Sequence, residues 1–283
     1  MAALTLEQRD FLLPKAYNAA LRAGAMILDV YNGGDYGIEQ KSDHTPITTA
    51  DRLSHDLIKS YLGSTHIPLL SEEGREMVYE ERRSWDLFWM VDPLDGTKEF
   101  IKGNGEFTVN IALMVDNVPA VGIIYVPYIG RIYVADRISG RSIRKEGVAP
   151  DPAAEFTLEQ ILDGGVALPA VEGPNRPIRI AASRSHNTDQ TKAHIAEIKR
   201  KHPNAAVIEQ GSSYKFCLLA EGSVDYYPRM THTYEWDTAA GELILELAGG
   251  ATRALDDDSP LGYNKESLLN PHFACRSKFM ALA

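Results

Sequence analysis

The most apolar stretch of the chain, VNIALMVDNVPAVGIIYV at residues 109–126, is broken near its middle by Asp116 and Asn117. That polar pair reads as a hairpin turn between two β-like runs, Thr108–Val115 and Val118–Val126. No run approaches the ~18 apolar residues of a spanning helix, so no transmembrane segment is expected. The first residues, with Glu7, Gln8, Arg9 and Asp10 where a signal peptide needs an apolar core, predict a cytoplasmic protein.

Elements of both kinds flank the hairpin. Residues 6–31 place Leu6, Leu13, Ala16, Tyr17, Ala20, Ala23 and Ile27 at helical spacing, with Thr5 and Gln8 as a capping box. Pro14 is expected to kink or restart this helix, and Gly33-Gly34 to end it. A second helix starts near Thr48 or Thr49 and stops at Gly63. Short apolar runs at Ile67–Leu70 and Leu87–Val91 read as buried strands, the first delivering Ser71, Glu72 and Glu73 and the second Asp92. Shorter strands follow at Arg131–Ala135 and Arg141–Arg144. Residues 146–177, with five prolines and several glycines, read as an irregular connection. Beyond it, strands at Ile178–Ala182, Ala206–Ile208, Val224–Tyr227 and Ala251–Leu255 alternate with helices at 188–201, Ser213–Glu221 and Thr238–Ala248. That alternation predicts a βαβ-type second half. The expected division is therefore 1–150, an α+β half, and 151–283, an α/β half.

Charge narrows the function. With 29 Lys and Arg against 39 Asp and Glu, the net charge is 29 − 39 = −10. So acidic a chain is not expected to bind nucleic acid, because phosphate neutralisation by basic residues supplies most non-specific affinity. A small phosphorylated substrate remains open if metal ions or a few placed Arg and Lys offset the repulsion. Two cysteines, Cys217 and Cys275, cannot build a disulfide framework or a Cys-rich zinc site and are expected to be separate thiols. The eight histidines show no His-x-x-x-His or His-Glu-x-x-His pattern, which argues against a zinc hydrolase. No phosphate-binding Gly-x-x-x-x-Gly-Lys loop occurs, and Asp256, Asp257 and Asp258 lack the spacing of an EF-hand.

The informative segment is WMVDPLDGTKEF, residues 89–100. Asp92 and Asp95 sit three apart beyond a buried strand, with Pro93 fixing the backbone and Gly96 allowing a sharp turn. A lone Asp-Gly is usually a surface turn. Two carboxylates held behind a buried strand, however, repel each other and lose hydration unless a cation compensates. Mg²⁺ suits the place, because it takes oxygen ligands and often only a few carboxylates together with water and phosphate. Glu72, which ends another strand, and Asp237, in YEWDTAAGELIL at 234–245, bring the acidic residues to four. Asp237 by itself would serve equally as a helix cap.

The run of Glu-Glu, Asp-Pro-Leu-Asp-Gly-Thr and Trp-Asp-Thr-Ala-Ala-Gly resembles the signature of the inositol monophosphatase superfamily. DPLDGTKEFIKGNGEFTVNIAL (92–113), GSSYKFCLLAEG (211–222) and YPRMTHTYEWDTAAG (227–241) are closest to its 3′(2′),5′-bisphosphate nucleotidase, or CysQ-like, branch. The resemblance spans nearly the whole chain. It implies a layered α/β/α/β/α sugar-phosphatase fold and an Mg²⁺-dependent, lithium-sensitive phosphomonoesterase using two or three ions. It further implies that Glu72, Asp92 and the Leu94 carbonyl hold one ion, and Asp92, Asp95 and Asp237 another.

Asp51, in the sequence TTAD, and Thr97 match the family pair that orients or deprotonates the attacking water. Leu94, Asp95, Gly96 and Thr97, with Glu72 and Asp237, would meet the phosphate to be cleaved. Ser212, Lys215 and Arg229 match residues that engage the uncleaved phosphate, and His186 one near the nucleotide. The implied activity is hydrolysis of adenosine 3′,5′-bisphosphate to AMP and phosphate, in recycling a by-product of sulfate activation, with the sulfated nucleotide as a second candidate. An inositol monophosphatase or sugar bisphosphatase is the alternative within the superfamily; a non-catalytic metal- or nucleotide-binding module is the alternative outside it. Peripheral attachment to the inner face of the membrane stays open, though no basic amphipathic helix argues for it.

Overall fold

A computed structural model describes residues 4–41, 44–174, 177–185 and 187–280. In chain order the elements are α1 (Leu6–Gly33), β1 (Glu39–Gln40), β2 (Pro46–Ile47), α2 (Thr49–Gly63), β3 (Leu69–Ser71), α3 (Tyr79–Arg82), β4 (Leu87–Asp95) and α4 (Thr97–Ile101). Then come β5 (Thr108–Val115), β6 (Val118–Val126), β7 (Arg131–Asp136), β8 (Arg141–Lys145), α5 (Leu158–Leu162) and β9 (Val166–Ala167). The last are β10 (Arg179–Ser183), α6 (Asp189–Lys201), β11 (Ala206–Gln210), α7 (Tyr214–Glu221), β12 (Tyr226–Arg229), α8 (Glu235–Leu247), β13 (Ala251–Ala254) and β14 (Phe273–Arg276).

Strands β3 to β9 form a seven-stranded sheet in sequence order, parallel only between β3 and β4. Its hairpin turns at Asp116 and Asn117, both at positive φ, the backbone that a two-residue turn of this kind requires. The central strands are buried on both faces, with side chains alternating between them. Trp89, Val91, Val109, Ile111, Leu113, Val121, Ile123 and Tyr125 pack under α1 and α2. Phe88, Met90, Ala112, Met114, Ile124 and Val126 pack on the other face with residues of α7 and α8.

A five-stranded sheet in the order β11-β10-β12-β14-β13 covers the far side of α7 and α8, and α6 closes its outer face. The layers therefore run α1 and α2, first sheet, α7 and α8, second sheet, α6: the expected α/β/α/β/α stack. Helix α8 lies so close to the first sheet that a Cβ on Gly122 would stand 2.8 Å from the Ala240 carbonyl oxygen. No element of this length tolerates that approach without shifting.

Several expectations change. Pro14 does not break α1, which runs unbroken for 28 residues. Its buried face continues on both sides of the proline (Leu12, Leu13, Ala16, Tyr17), and this packing outweighs one lost backbone hydrogen bond. The stretch 146–177 is not all connection: α5 forms there under a Thr157 capping box, and β9 joins the first sheet. The second half is not purely βαβ, because β10, β11 and β12 are parallel but β14 inserts antiparallel between β12 and β13. Four residues in β14 are too few to show a period. Strands predicted at 67–70 and 224–227 lie at Leu69–Ser71 and Tyr226–Arg229, so Arg229 is inside its strand. Helix α8 begins three residues earlier than expected, at Glu235. Cys217 and Cys275 are separate buried thiols.

Candidate active site

One cleft gathers most of the predicted residues: Glu72, Asp92, Leu94, Asp95, Gly96, Thr97, Ser212, Lys215, Arg229 and Asp237 all line it. Its floor is made by an irregularity at the end of β4. Asp92 pairs with Asn110 and Asp95 with Thr108, so β4 spends three steps where β5 spends two. Residues three apart on a regular strand face opposite sides; the extra residue of this bulge turns both carboxylates into the cleft. Pro93 suits the bulge because it has no N–H to give the ladder. The Ser54 hydroxyl of α2 donates to the Pro93 carbonyl at 2.7 Å, and the Leu94 N–H donates to Asp92 Oδ1 at 3.1 Å.

Carboxylate oxygens of Glu72, Asp92 and Asp237 lie within 4.8 Å of one another, from β3's end, β4 and α8. Asp95 stands apart from this group of three. Its Oδ2 accepts from the Ser213 N–H at 2.5 Å and the Asn110 side-chain amide at 3.5 Å. Asp237 does cap its helix, accepting from the Tyr234 N–H at 2.8 Å from the third position of α8. Capping and membership of the cluster coexist, since a carboxylate needs one oxygen for the cap.

The cluster is electrostatically uncomfortable. Loss of hydration pushes the Asp92 carboxyl well above its usual range, with Glu72, Asp95 and Asp237 adding to it. Asp237 rises for the same reason, with Asp95 and Glu72 as neighbours. Burial also raises Glu72, and it raises Glu73 to about 7 with help from Glu72. Lys41 partly answers this charge, donating to Glu72 at 2.9 Å and Glu73 at 2.5 Å. Burial alone would lower Lys41, but the two glutamates outweigh it and hold the ammonium above its ordinary value. An all-oxygen set of mutually repelling carboxylates, Asp92 buried and Glu72 and Asp237 half-buried, fits a hard divalent cation.

Beside the cluster, the Thr97 hydroxyl donates to Asp51 Oδ1 at 2.9 Å. Asp51, at the third position of α2, turns its Oδ2 back to accept the Thr48 N–H at 2.7 Å and the Thr48 hydroxyl at 2.5 Å. It is 1% exposed, and burial raises its pKa against those hydrogen bonds. At the cationic end of the cleft Lys215 is equally buried and Arg229 half-buried. Lys215, 2% exposed, donates to the carbonyls of Gln210 at 3.2 Å and Ser212 at 2.5 Å. Desolvation, then the Arg229 guanidinium, lower it to about 8. Neither residue is an ordinary solvated surface charge. Arg229 donates to the His232 carbonyl at 3.3 Å, and its buried Nε has no partner among the described residues.

His186 lies outside the described residues. Sequence reasoning missed Lys41, whose two-residue strand neighbours carry no pattern, and the Ser213 N–H, a backbone group invisible to side-chain motifs. Thr45, Pro46, Glu99, Tyr227 and Phe273 also line the cleft. Only their positions in the fold bring them there.

Known proteins share this architecture along nearly its full length. The 3′(2′),5′-bisphosphate nucleotidase CysQ of Shigella flexneri is 38% identical over 267 residues, 93% of this chain and 98% of that protein. Its namesake in Escherichia coli K12 is 37% identical over 267 residues, with the same shares covered. The crystal structure of CysQ from Bacteroides thetaiotaomicron, described as a bacterial member of the inositol monophosphatase family, superposes with a TM-score of 0.86. It is 44% identical and covers 96% of this chain and 98% of its own. The profile of the inositol monophosphatase family matches residues 8–280. The chain belongs to the inositol monophosphatase family.

Proposed function

We propose that the chain is an Mg²⁺-dependent 3′(2′),5′-bisphosphate nucleotidase that hydrolyses adenosine 3′,5′-bisphosphate to AMP and phosphate. One observation carries the substrate choice: a single cleft holds a carboxylate cluster around the buried Asp92 and, with it, a buried Lys215 beside Arg229. A substrate with one phosphate to cleave and a second to anchor matches both. Its relatives named bisphosphate nucleotidases favour the same reading.

Glu72, Asp92 and the Leu94 carbonyl would hold one Mg²⁺, and Asp92, Asp95 and Asp237 a second, with room in the family pattern for a third. When bound, Mg²⁺ supplies positive charge to the phosphoryl group and makes water easier to ionise. The chain's own residues do the positioning. Thr97, its proton committed to Asp51, offers its oxygen lone pairs to the attacking water. As the water's proton reaches Thr97 Oγ1, the hydroxyl's own proton moves to Asp51 Oδ1, which burial makes more basic than a surface carboxylate. Ser212, Lys215 and Arg229 hold the uncleaved phosphate; Arg suits a bidentate contact and Lys a point contact. Gly96 leaves the phosphate room at the turn, and His186 is assigned to the nucleotide.

In this reading, residues 1–150 carry most metal ligands, and residues 151–283 carry Asp237 and the second-phosphate residues. The enzyme works in the cytoplasm on a small nucleotide, not on nucleic acid. Among the described residues no helix is long and apolar enough to cross a membrane. The deciding experiment measures phosphate release from adenosine 3′,5′-bisphosphate and inositol 1-phosphate, each with and without Mg²⁺. Preference for the nucleotide supports the reading. Preference for the inositol phosphate moves the chain to the sister activity, and silence on both would leave a binding module, against which the Thr97–Asp51 pair argues.

A further inference from the structure

Three chain segments that do not follow one another in sequence meet at the carboxylate of Glu106. Its Oε2 accepts the Gly211 N–H at 2.8 Å and Arg184 Nε at 2.9 Å, and its Oε1 accepts Arg184 Nη2 at 2.8 Å. Arg184 reaches on to the Glu209 carbonyl at 2.9 Å. Glu106 thus ties the exit of β10 and the exit of β11 to the entry of β5. A bidentate guanidinium–carboxylate pair with a third, backbone donor is the strong and geometrically specific class of hydrogen bond.

The turn held this way carries the cationic end of the cleft. Gly211 precedes Ser212, which sits at a positive φ of 49°, and Lys215 donates back to the Ser212 carbonyl. The next N–H along, Ser213, is the one that holds Asp95 Oδ2. The turn is packed without slack. A Cβ on Gly211 would stand 2.5 Å from Glu99 Cγ and 2.8 Å from the Glu106 carbonyl oxygen. A second tie runs beside the first, the Ser185 hydroxyl donating to the buried Glu99 at 2.5 Å.

We propose that Glu106 is a positioning residue for the anchored phosphate: by clamping Gly211 and Arg184 it fixes the distance from Ser212 and Lys215 to the carboxylate cluster. It touches no substrate atom and sets specificity through the turn. The proposal rests on the bisphosphate reading, because a substrate with a second phosphate feels that distance most directly.

The test compares adenosine 3′,5′-bisphosphate with adenosine 3′-monophosphate, which lacks the anchored group, at saturating Mg²⁺. Glu106→Ala is expected to raise KM for the bisphosphate about 10-fold while kcat stays within about threefold, the loss of a partly buried backbone contact and a charge-assisted pair at the surface. KM for the monophosphate should move less than about twofold. Glu106→Gln, whose amide oxygen still accepts from Gly211, should recover most of the loss. Equal effects on both substrates, or no recovery by Gln, overturn the proposal. Should Glu106→Ala fail to fold, Arg184→Ala decides: a bisphosphate KM raised about 2- to 10-fold supports the clamp, and an unchanged one overturns it. Wild-type indifference between the two nucleotides would sink the bisphosphate reading itself. The clamp is then judged by amide hydrogen exchange, where Glu106→Gln against Glu106→Ala must show faster exchange in residues 209–215 of the alanine variant alone. Unchanged exchange there overturns it.

Discussion

Thr97 Oγ1 stands 2.9 Å from Asp51 Oδ1, and Asp51's other oxygen is already held by Thr48 from two sides. The carboxylate therefore cannot turn away from the hydroxyl, and the hydroxyl's proton has one direction to point. Thr97→Ala is expected to lower kcat by about 10²- to 10³-fold with KM within about threefold, the outcome the proposed action of the pair on water requires. Thr97→Ser, which keeps the hydroxyl, should stay within about tenfold of wild type. Steady-state kinetics of phosphate release check both.

Lys215 is an almost wholly buried cation on the wall of the cleft, and its pKa falls to about 8 through burial and the neighbouring Arg229. In the free protein it loses its proton as pH rises past that value, so KM for the bisphosphate should climb on the alkaline side. The fold gives up that proton more readily than the unfolded chain, whose lysine titrates near 10.5. Stability from this group is accordingly lowest below about 8 and improves as pH rises toward 10.5. Lys215→Met should raise KM for the bisphosphate about 10- to 100-fold, remove the alkaline limb and leave the melting temperature equal or higher. A pH series of KM, with thermal melts of both proteins, tests this.

The carboxylate cluster has the opposite sign. Asp92, Asp237 and Glu72 all titrate above their ordinary values, so the metal-free fold binds protons more tightly than the unfolded chain. Its stability is expected to fall as pH rises from about 4 toward neutrality. Mg²⁺ should raise the melting temperature most at neutral pH and flatten that slope. Asp92→Asn should stabilise the metal-free protein by roughly 1–2 kcal/mol while lowering kcat about 10³-fold or more. Calorimetry across pH, with and without Mg²⁺, gives the answer.

Gly96 links the bulge to α4 at a φ of 99°, a backbone that side chains rarely adopt. A Cβ there would stand 3.0 Å from the Glu106 carbonyl oxygen and 3.3 Å from Ser212 Cβ. Gly96→Ala should cost about 1–3 kcal/mol of stability and displace Thr97 enough to lower kcat more than tenfold. Denaturant unfolding together with kinetics separates the two effects.

Much of the cleft was legible in the chain because its carboxylates stand at the ends of strands and helices. Glu72, Asp92 and Asp95 each follow an apolar run, and Asp237 opens an amphipathic helix. Strong periodicity likewise exposed α1, α2 and the β5–β6 hairpin. What the letters did not reveal is relative placement. Asp51 and Thr97 lie 46 residues apart, and the family resemblance, not their spacing, paired them. Asp92 and Asp95 reach the same cleft only because of the bulge, an interruption of register that alternation cannot show. β14 was too short to register, and α8's attachment to the first sheet depends on a side chain that Gly122 lacks. Lys41 escaped because a lone lysine between short polar strands looks like any other.

That attachment has a further meaning for the cleft. Phe88, Met90 and Ile124 of the first sheet share one apolar cluster with Phe216, Leu243 and Tyr227 of the later chain. Among the described residues the two walls of the cleft are therefore continuous through a single mass of packed side chains. The rim of the cleft includes Thr45 and Pro46 of the β1–β2 ribbon and the loop from His232 to Tyr234, itself pinned by the Asn270 N–H on the Thr233 carbonyl at 2.8 Å. The core works as an anvil, its two walls set by the packing they share.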